Sequence, residues 1–247
     1  VVIPMEGAFS YYVDWLNDPQ PNTYLHGKQK WSTFLGSELP NSIEPFLNAN
    51  GKRAVSGFSM SATSALLLAE HNPDQYAAVG SFSGCAATST PLPSFFVGLT
   101  VNRGSAGRGD VSPADLWGAR GSEYNRYNDA LVMAEKLRGT DTQLYISAGT
   151  GLPSDTDMIG ELKKAKDLTS SEALSQALTL QVEGGAIEAA MNACTHDLHT
   201  KLKALGVPVT FNKRATGTHS WPVWHDDLKV SWERVIGPAL LPEKFQQ

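Results

Sequence analysis

The sequence predicts an α/β fold with a mostly parallel central sheet and helices on both faces. Short β-leaning runs alternate with runs of helix formers along the chain, the pattern a helix-covered parallel sheet requires. One of those strands ends in Gly57-Phe58-Ser59-Met60-Ser61, directly before the strong helix formers Ala62 to Glu70. Strand, tight turn and helix around a serine make a nucleophile elbow, which specifies the α/β-hydrolase variety of the fold. A histidine, His219, follows the last strand on a glycine-bearing loop, where that fold carries its base. With 247 residues, 41% of them hydrophobic, the chain can bury one large core, and residues 1–247 are read as a single domain.

The elements follow in order. Val1 to Pro4 is an apolar run closed by proline and reads as a buried strand. Lys28 to Asn48 is helical in pattern, with Trp31, Phe34, Leu35 and Leu39 at helical spacing and Pro40 and Pro45 interrupting it. Ala54 to Phe58 is the nucleophile strand and Ala78 to Phe82 the next. Asp129 to Leu137 is amphipathic, and Gln143 to Ser147 is a strand opening into the polar loop Gly149 to Asp157. Gly185 to Leu205 is a long helix, and Pro208 to Phe211 is the last strand. An α/β-hydrolase sheet places its nucleophile after the fifth strand, so Val1 to Pro4 stands for the fourth. The first three strands, and the loop that gives the second oxyanion N–H, are then expected upstream of Val1, making the chain N-terminally incomplete.

Ser61 replaces the usual final glycine of the elbow, so the match is to a variant. The rival reading of Ser59 is a helix N-cap, since serine is favoured there as well. As a nucleophile it would sit where the helix aims its N-terminal dipole and free N–H groups at a forming oxyanion. Among six histidines, His26 and His71 do not follow the last strands. His196 and His199 stand three apart on a helix, and His225 opens the C-terminal helix, which leaves His219 as the base. For the acid, Asp155 and Asp157 after the Gln143 to Ser147 strand compete with Glu183 and Glu188, and position alone does not separate them.

Composition excludes several classes. A formal net charge of −5 with no basic stripe argues against nucleic acid as a partner. No apolar run approaches the roughly 20 residues of a transmembrane segment. The two cysteines, Cys85 and Cys194, show no Cys-x-x-Cys spacing, and nothing in the pattern calls for a metal or a cofactor.

Five ordered motifs suggest a family. They are Ile3 to Gly7 with Ser10 to Trp15, Lys30 to Pro40, the elbow Gly57 to Ser61, Ala114 to Gly118, and Gly217 to Trp221. In these the chain resembles the mycolyltransferases of the antigen 85 type, and more closely their corynebacterial counterparts, from about Ile3 to Trp232.

The resemblance implies a secreted enzyme of the cell envelope that moves a mycolate or corynomycolate from trehalose monomycolate. The acceptor would be another trehalose monomycolate, cell-wall arabinogalactan or a protein hydroxyl. Carried over, it assigns Ser59 as nucleophile, His219 as base, Glu188 as acid and the backbone N–H of Met60 as oxyanion donor. The family's second oxyanion donor, and the Asp and Arg that hold trehalose, belong to the upstream segment. Trp221, and less directly Trp117, are candidates to stack on a sugar, and Pro91 to Val101 to line an acyl channel. Ala148 stands near the family's lone cysteine, and a Cys85–Cys194 disulfide is expected to anchor the acid-bearing helix instead. The alternatives are a secreted carboxylesterase and a non-catalytic surface-binding protein of the same fold.

Overall fold

Four short strands build the sheet in the computed structural model, which describes residues 1–19, 24–107 and 111–245. They are β1 (Ala54–Phe58), β2 (Ala78–Phe82), β3 (Gln143–Ala148) and β4 (Thr210–Lys213), all parallel and in the order β1-β2-β3-β4. The register pairs Ala54 with Ala78, Ala78 with Gln143, and Tyr145 with Thr210. Because the strands run the same way, Phe58, Phe82, Ala148 and Lys213 end on one edge, and the loops that follow them gather there.

Alternation along the strands divides the core. Val79, Leu144 and Ile146 face a cluster with Leu66, Leu137, Leu198 and Leu202, drawn from helices Met60–His71 and Gly185–Leu205 and the 3₁₀ turn Ala134–Leu137. Ala78, Phe82 and Tyr145 face the other way, onto Val223, Trp224, Val235 and Ile236 of the C-terminal helical stretch. Covered on both faces, β2 is buried along its whole length, and its one polar side chain, Ser81, donates to the Ala62 carbonyl at 3.2 Å. The helix after the elbow is buried from Ala62 to Glu70, its polar Thr63, Ser64 and Glu70 included. Truncating Leu66 or Leu144 to alanine in such a core costs about 2–5 kcal/mol.

Two readings of the sequence need correction. Val1 to Pro4 forms no strand: Val1, Val2 and Ile3 are exposed, and β1 pairs only with β2 among the described residues. An apolar run becomes a strand only by exchanging backbone hydrogen bonds with a neighbour, and none lies beside this one. The helix from Lys28 to Asn48 is continuous but irregular, as Trp31–Thr33, the π-helical Phe34–Glu38 and Leu39–Leu47. Pro40 has no N–H to close the α ladder, and the Leu39 N–H reaches back five residues to the Phe34 carbonyl instead.

Candidate active site

Ser59 sits at the carboxyl end of β1 with φ 57° and ψ −127°, a backbone conformation that costs a non-glycine residue on the order of 1–3 kcal/mol. The surroundings hold it there. The Ser59 N–H donates to the Phe82 carbonyl of β2 at 2.9 Å, and the Ser59 carbonyl accepts from the Ala62 N–H at 3.1 Å. Gly57 is required for the close turn, since a Cβ there would lie 2.2 Å from the Ser61 carbonyl oxygen. Ser61 has its own task, because its hydroxyl accepts from the Phe58 N–H at 3.0 Å and donates to the Phe58 carbonyl at 2.8 Å. Those bonds close the turn, a physical reason for serine where the common elbow has glycine. Met60 is the first residue of the following helix, so its N–H has no intrahelical acceptor.

His219 and Glu188 complete a chain of contacts. His219 Nε2 lies 2.7 Å from Ser59 Oγ, and its Nδ1 lies 2.7 Å from Glu188 Oε2. Glu188 is fully buried, and its Oε1 accepts from the Ser83 hydroxyl at 2.7 Å and from the Gly149 N–H at 2.6 Å. Three partners around one carboxylate fix its direction. Each comes from a loop at the carboxyl edge of the sheet: Ser83 after β2, Gly149 after β3, His219 after β4. Gly149 has to be glycine, because a Cβ would come within 2.5 Å of the Gly217 carbonyl in the histidine loop.

The competing acids have other partners. Asp157 is buried, but its Oδ1 accepts from the Thr218 hydroxyl at 3.0 Å and its Oδ2 from the Ser154 N–H and hydroxyl, both at 2.8 Å. It therefore holds the residue beside His219 rather than the imidazole. Asp155 is exposed, and Glu183 pairs with Arg103 on the surface. Of the other histidines, His196 bonds the Asn192 carbonyl and His199 stacks on Phe211.

Trp221 is 67% exposed and packs edge-on against Phe58 and Trp224, two residues from His219. Trp117 is not at the site: it is 1% exposed and packs against Tyr11 in the core, so no sugar can stack on it. Cys85 and Cys194 form a disulfide, joining the segment after Ser83 to the helix that carries Glu188. The sequence gives no local sign of Ser83 or Gly149 as site residues, and Asp157, a candidate acid by position, is found holding Thr218 instead. Their roles depend on which loops meet, although Ser83 lies in the Ser81 to Gly84 turn beside the next strand.

A parallel sheet with a strained serine after one strand, hydrogen-bonded to a histidine and through it to a buried carboxylate, defines the class: an α/β-hydrolase. The chain belongs to the putative esterase family, whose family model matches residues 1–234. It is 35% identical over 226 residues to the diacylglycerol acyltransferase/mycolyltransferase Ag85A of Mycobacterium gordonae, covering 91% of this chain and 59% of that protein. It is 33% identical over 232 residues to the corresponding Ag85B of Mycobacterium leprae (strain TN), covering 93% and 63%. The chain thus spans about three fifths of the length of these relatives. Among solved structures it is similar to Mycobacterium tuberculosis MPT51, with a TM-score of 0.68 at 22% identity, over 95% of this chain and 74% of that one. It is also similar to the serine hydrolase FphF of Staphylococcus aureus, with a TM-score of 0.54 at 15% identity, over 91% and 67%. Likeness at those identities concerns the fold. Among the described residues, no group of His, Cys, Asp and Glu could hold a metal ion, and no helix is long and apolar enough to cross a membrane.

Proposed function

We propose that this protein is a serine acyltransferase, a mycolyltransferase that works through an acyl-enzyme on Ser59. The observation that carries the proposal is the run of two 2.7 Å contacts from Ser59 through His219 to Glu188. The names of its relatives supply the substrate class. His219 Nε2 takes the Ser59 proton as Oγ attacks the ester carbonyl of a trehalose mycolate or corynomycolate. Glu188 accepts the hydrogen bond from Nδ1–H, holds the tautomer and stabilises the imidazolium, which keeps both its protons. The Met60 N–H faces the oxyanion, a contact of a kind worth about 10²–10³ in kcat. The ester C–O bond breaks, trehalose leaves with the proton from His219, and the acyl group stays on Oγ. A second hydroxyl, on trehalose monomycolate, arabinogalactan or a protein, then gives its proton to His219 and takes the acyl group. The protein works in the cell envelope, where an oxidising setting preserves a disulfide such as Cys85–Cys194.

The test is to supply a trehalose monoester of a corynomycolic acid and weigh trehalose diester against free acid. Diester in excess over acid is the expected result. Free acid alone would replace the transferase by a carboxylesterase. Neither product, with no labelling of Ser59 by an active-site phosphonate, would leave a binding protein.

A further inference from the structure

Glu188 is not alone on its helix in reaching the loop after β3. One turn further on, Asn192 Nδ2 donates to the Gly149 carbonyl at 2.6 Å, while Glu188 Oε1 accepts from the Gly149 N–H at 2.6 Å. Residues four apart lie on one face of an α-helix. A single stripe of helix Gly185–Leu205 therefore grips one glycine by both its donor and its acceptor.

Gly149 is a residue that needs such a grip. It can carry no side chain, because a Cβ would meet the Gly217 carbonyl. Its N–H belongs to the peptide that continues β3, whose other end, the Ala148 carbonyl, accepts from the Arg214 N–H at 3.1 Å. Its carbonyl belongs to the next peptide, beyond the end of the strand, where a glycine turns at little steric cost. Asn192 is the hydrogen-bond partner of that carbonyl among the described residues.

The same segment is laced to the histidine loop. The Gly151 N–H donates to the Gly217 carbonyl at 3.0 Å, and the Gly217 N–H to the Leu152 carbonyl at 2.7 Å. The His219 N–H in turn donates at 3.1 Å to the carbonyl of Gly184, the residue that opens the helix of Glu188. Helix to β3 loop, β3 loop to histidine loop and histidine loop back to helix make a closed ring, across which Glu188 meets His219. Asn192 is a neutral link in it, and its amide makes no hydrogen bond to Ser59 or His219 among the described residues. The helix has other moorings: the Cys194 disulfide, and the Thr195 hydroxyl, which donates to the Gly84 carbonyl at 3.3 Å, tie it to the segment after β2. Without Asn192 it would stay docked yet be freer to shift against β3.

We propose that Asn192 is a positioning residue for the acid, setting through the Gly149 carbonyl the distance and angle at which Glu188 meets His219. The proposal rests on the reading of the protein as an enzyme that uses Ser59, His219 and Glu188, and it adds a residue outside those three.

The test is steady-state hydrolysis of a short p-nitrophenyl ester by the wild type, Asn192→Leu, Glu188→Gln and the double variant, with urea denaturation of each. Leucine keeps the volume of asparagine approximately and removes the donor. In the wild-type background Asn192→Leu should lower kcat about ten- to a hundredfold, the cost of a displacement of about 1 Å, with KM unchanged. In the Glu188→Gln background the same change should cost no more than about twofold, because the group it positions is already lost. Equal losses in the two backgrounds, an unchanged kcat in the first, or a change confined to KM overturns the proposal. Asn192→Ala, a good helix former, is the second variant and carries the test where leucine lowers the urea midpoint; the same pattern is expected of it. Labelling of Ser59 by a fluorophosphonate distinguishes the failures. A wild type that turns over and labels, with Asn192 variants equal to it, loses only the positioning role. A wild type that does neither loses the enzyme reading and the positioning role with it.

Discussion

Glu188 reaches His219 with one oxygen while the other is held by Ser83 and Gly149, so its direction does not depend on the imidazole. Replacing it with glutamine keeps the shape but offers the imidazole an amide where it needs a carboxylate. Glu188→Gln should therefore lower kcat by about 10⁴ with little change in KM, measured on a short ester; a loss under tenfold would remove Glu188 from the mechanism. Asp157 acts one step further out, through Thr218. Asp157→Asn and Thr218→Val should each lower kcat about ten- to a hundredfold, and the double variant should be no worse than the poorer single one. Additive losses would show that the two residues do not work as a pair. Glu70 has no part in the chemistry, yet it is 1% exposed and neither carboxyl oxygen has a partner among the described residues. Burial pushes its pKa well above the ordinary value, and nearby Asp129 pushes the same way. Between about pH 4.3, its unfolded value, and the raised folded one, the native state binds the extra proton. That contribution to stability is complete below the window and is lost as pH rises through it. Glu70→Gln should flatten this fall in urea denaturation across pH, and an equally steep fall in the variant would assign it to another group.

At the scale of elements, legibility followed how local the signal is. The elbow could be read from a dozen residues because strand, turn serine and helix are adjacent, and His219 because its loop directly follows the last strand. The acid could not be read from position, because Asp157 and Glu188 reach the same neighbourhood from different elements and only packing decides which meets the imidazole. The resemblance to relatives pointed to Glu188, the carboxylate found beside His219. Val1 to Pro4 failed as a strand because apolar character says nothing about whether a partner strand lies alongside, and Trp117 failed as a sugar platform because an aromatic residue near a motif is as easily core. The cysteines are 109 residues apart, and their disulfide fastens helix Gly185–Leu205 to the segment after β2. In the chain-entropy account, closing a loop that long contributes about 4–5 kcal/mol. Cys85→Ala/Cys194→Ala should lower unfolding free energy by about that much and reduce kcat as Glu188 loses its anchor. A variant as stable and as active as the wild type would make the bond incidental.

In the whole molecule, four parallel strands deliver Ser59, Ser83, Gly149 and His219 to one edge of the sheet, and a single helix brings Glu188 across to meet them. The cores on the two faces hold the strands in register, so the site is assembled from loops whose ends are fixed. The same edge bears a cavity of about 270 Å³ between Asp155 and Asp226. The central claim is that Ser59, set by this arrangement, is an activated nucleophile. The most direct measurement is the intact mass of the protein before and after a fluorophosphonate, with Ser59→Ala alongside. One adduct on the wild type and none on the variant is the expected result. An adduct on both would move the nucleophile elsewhere, and none on either would contradict the account.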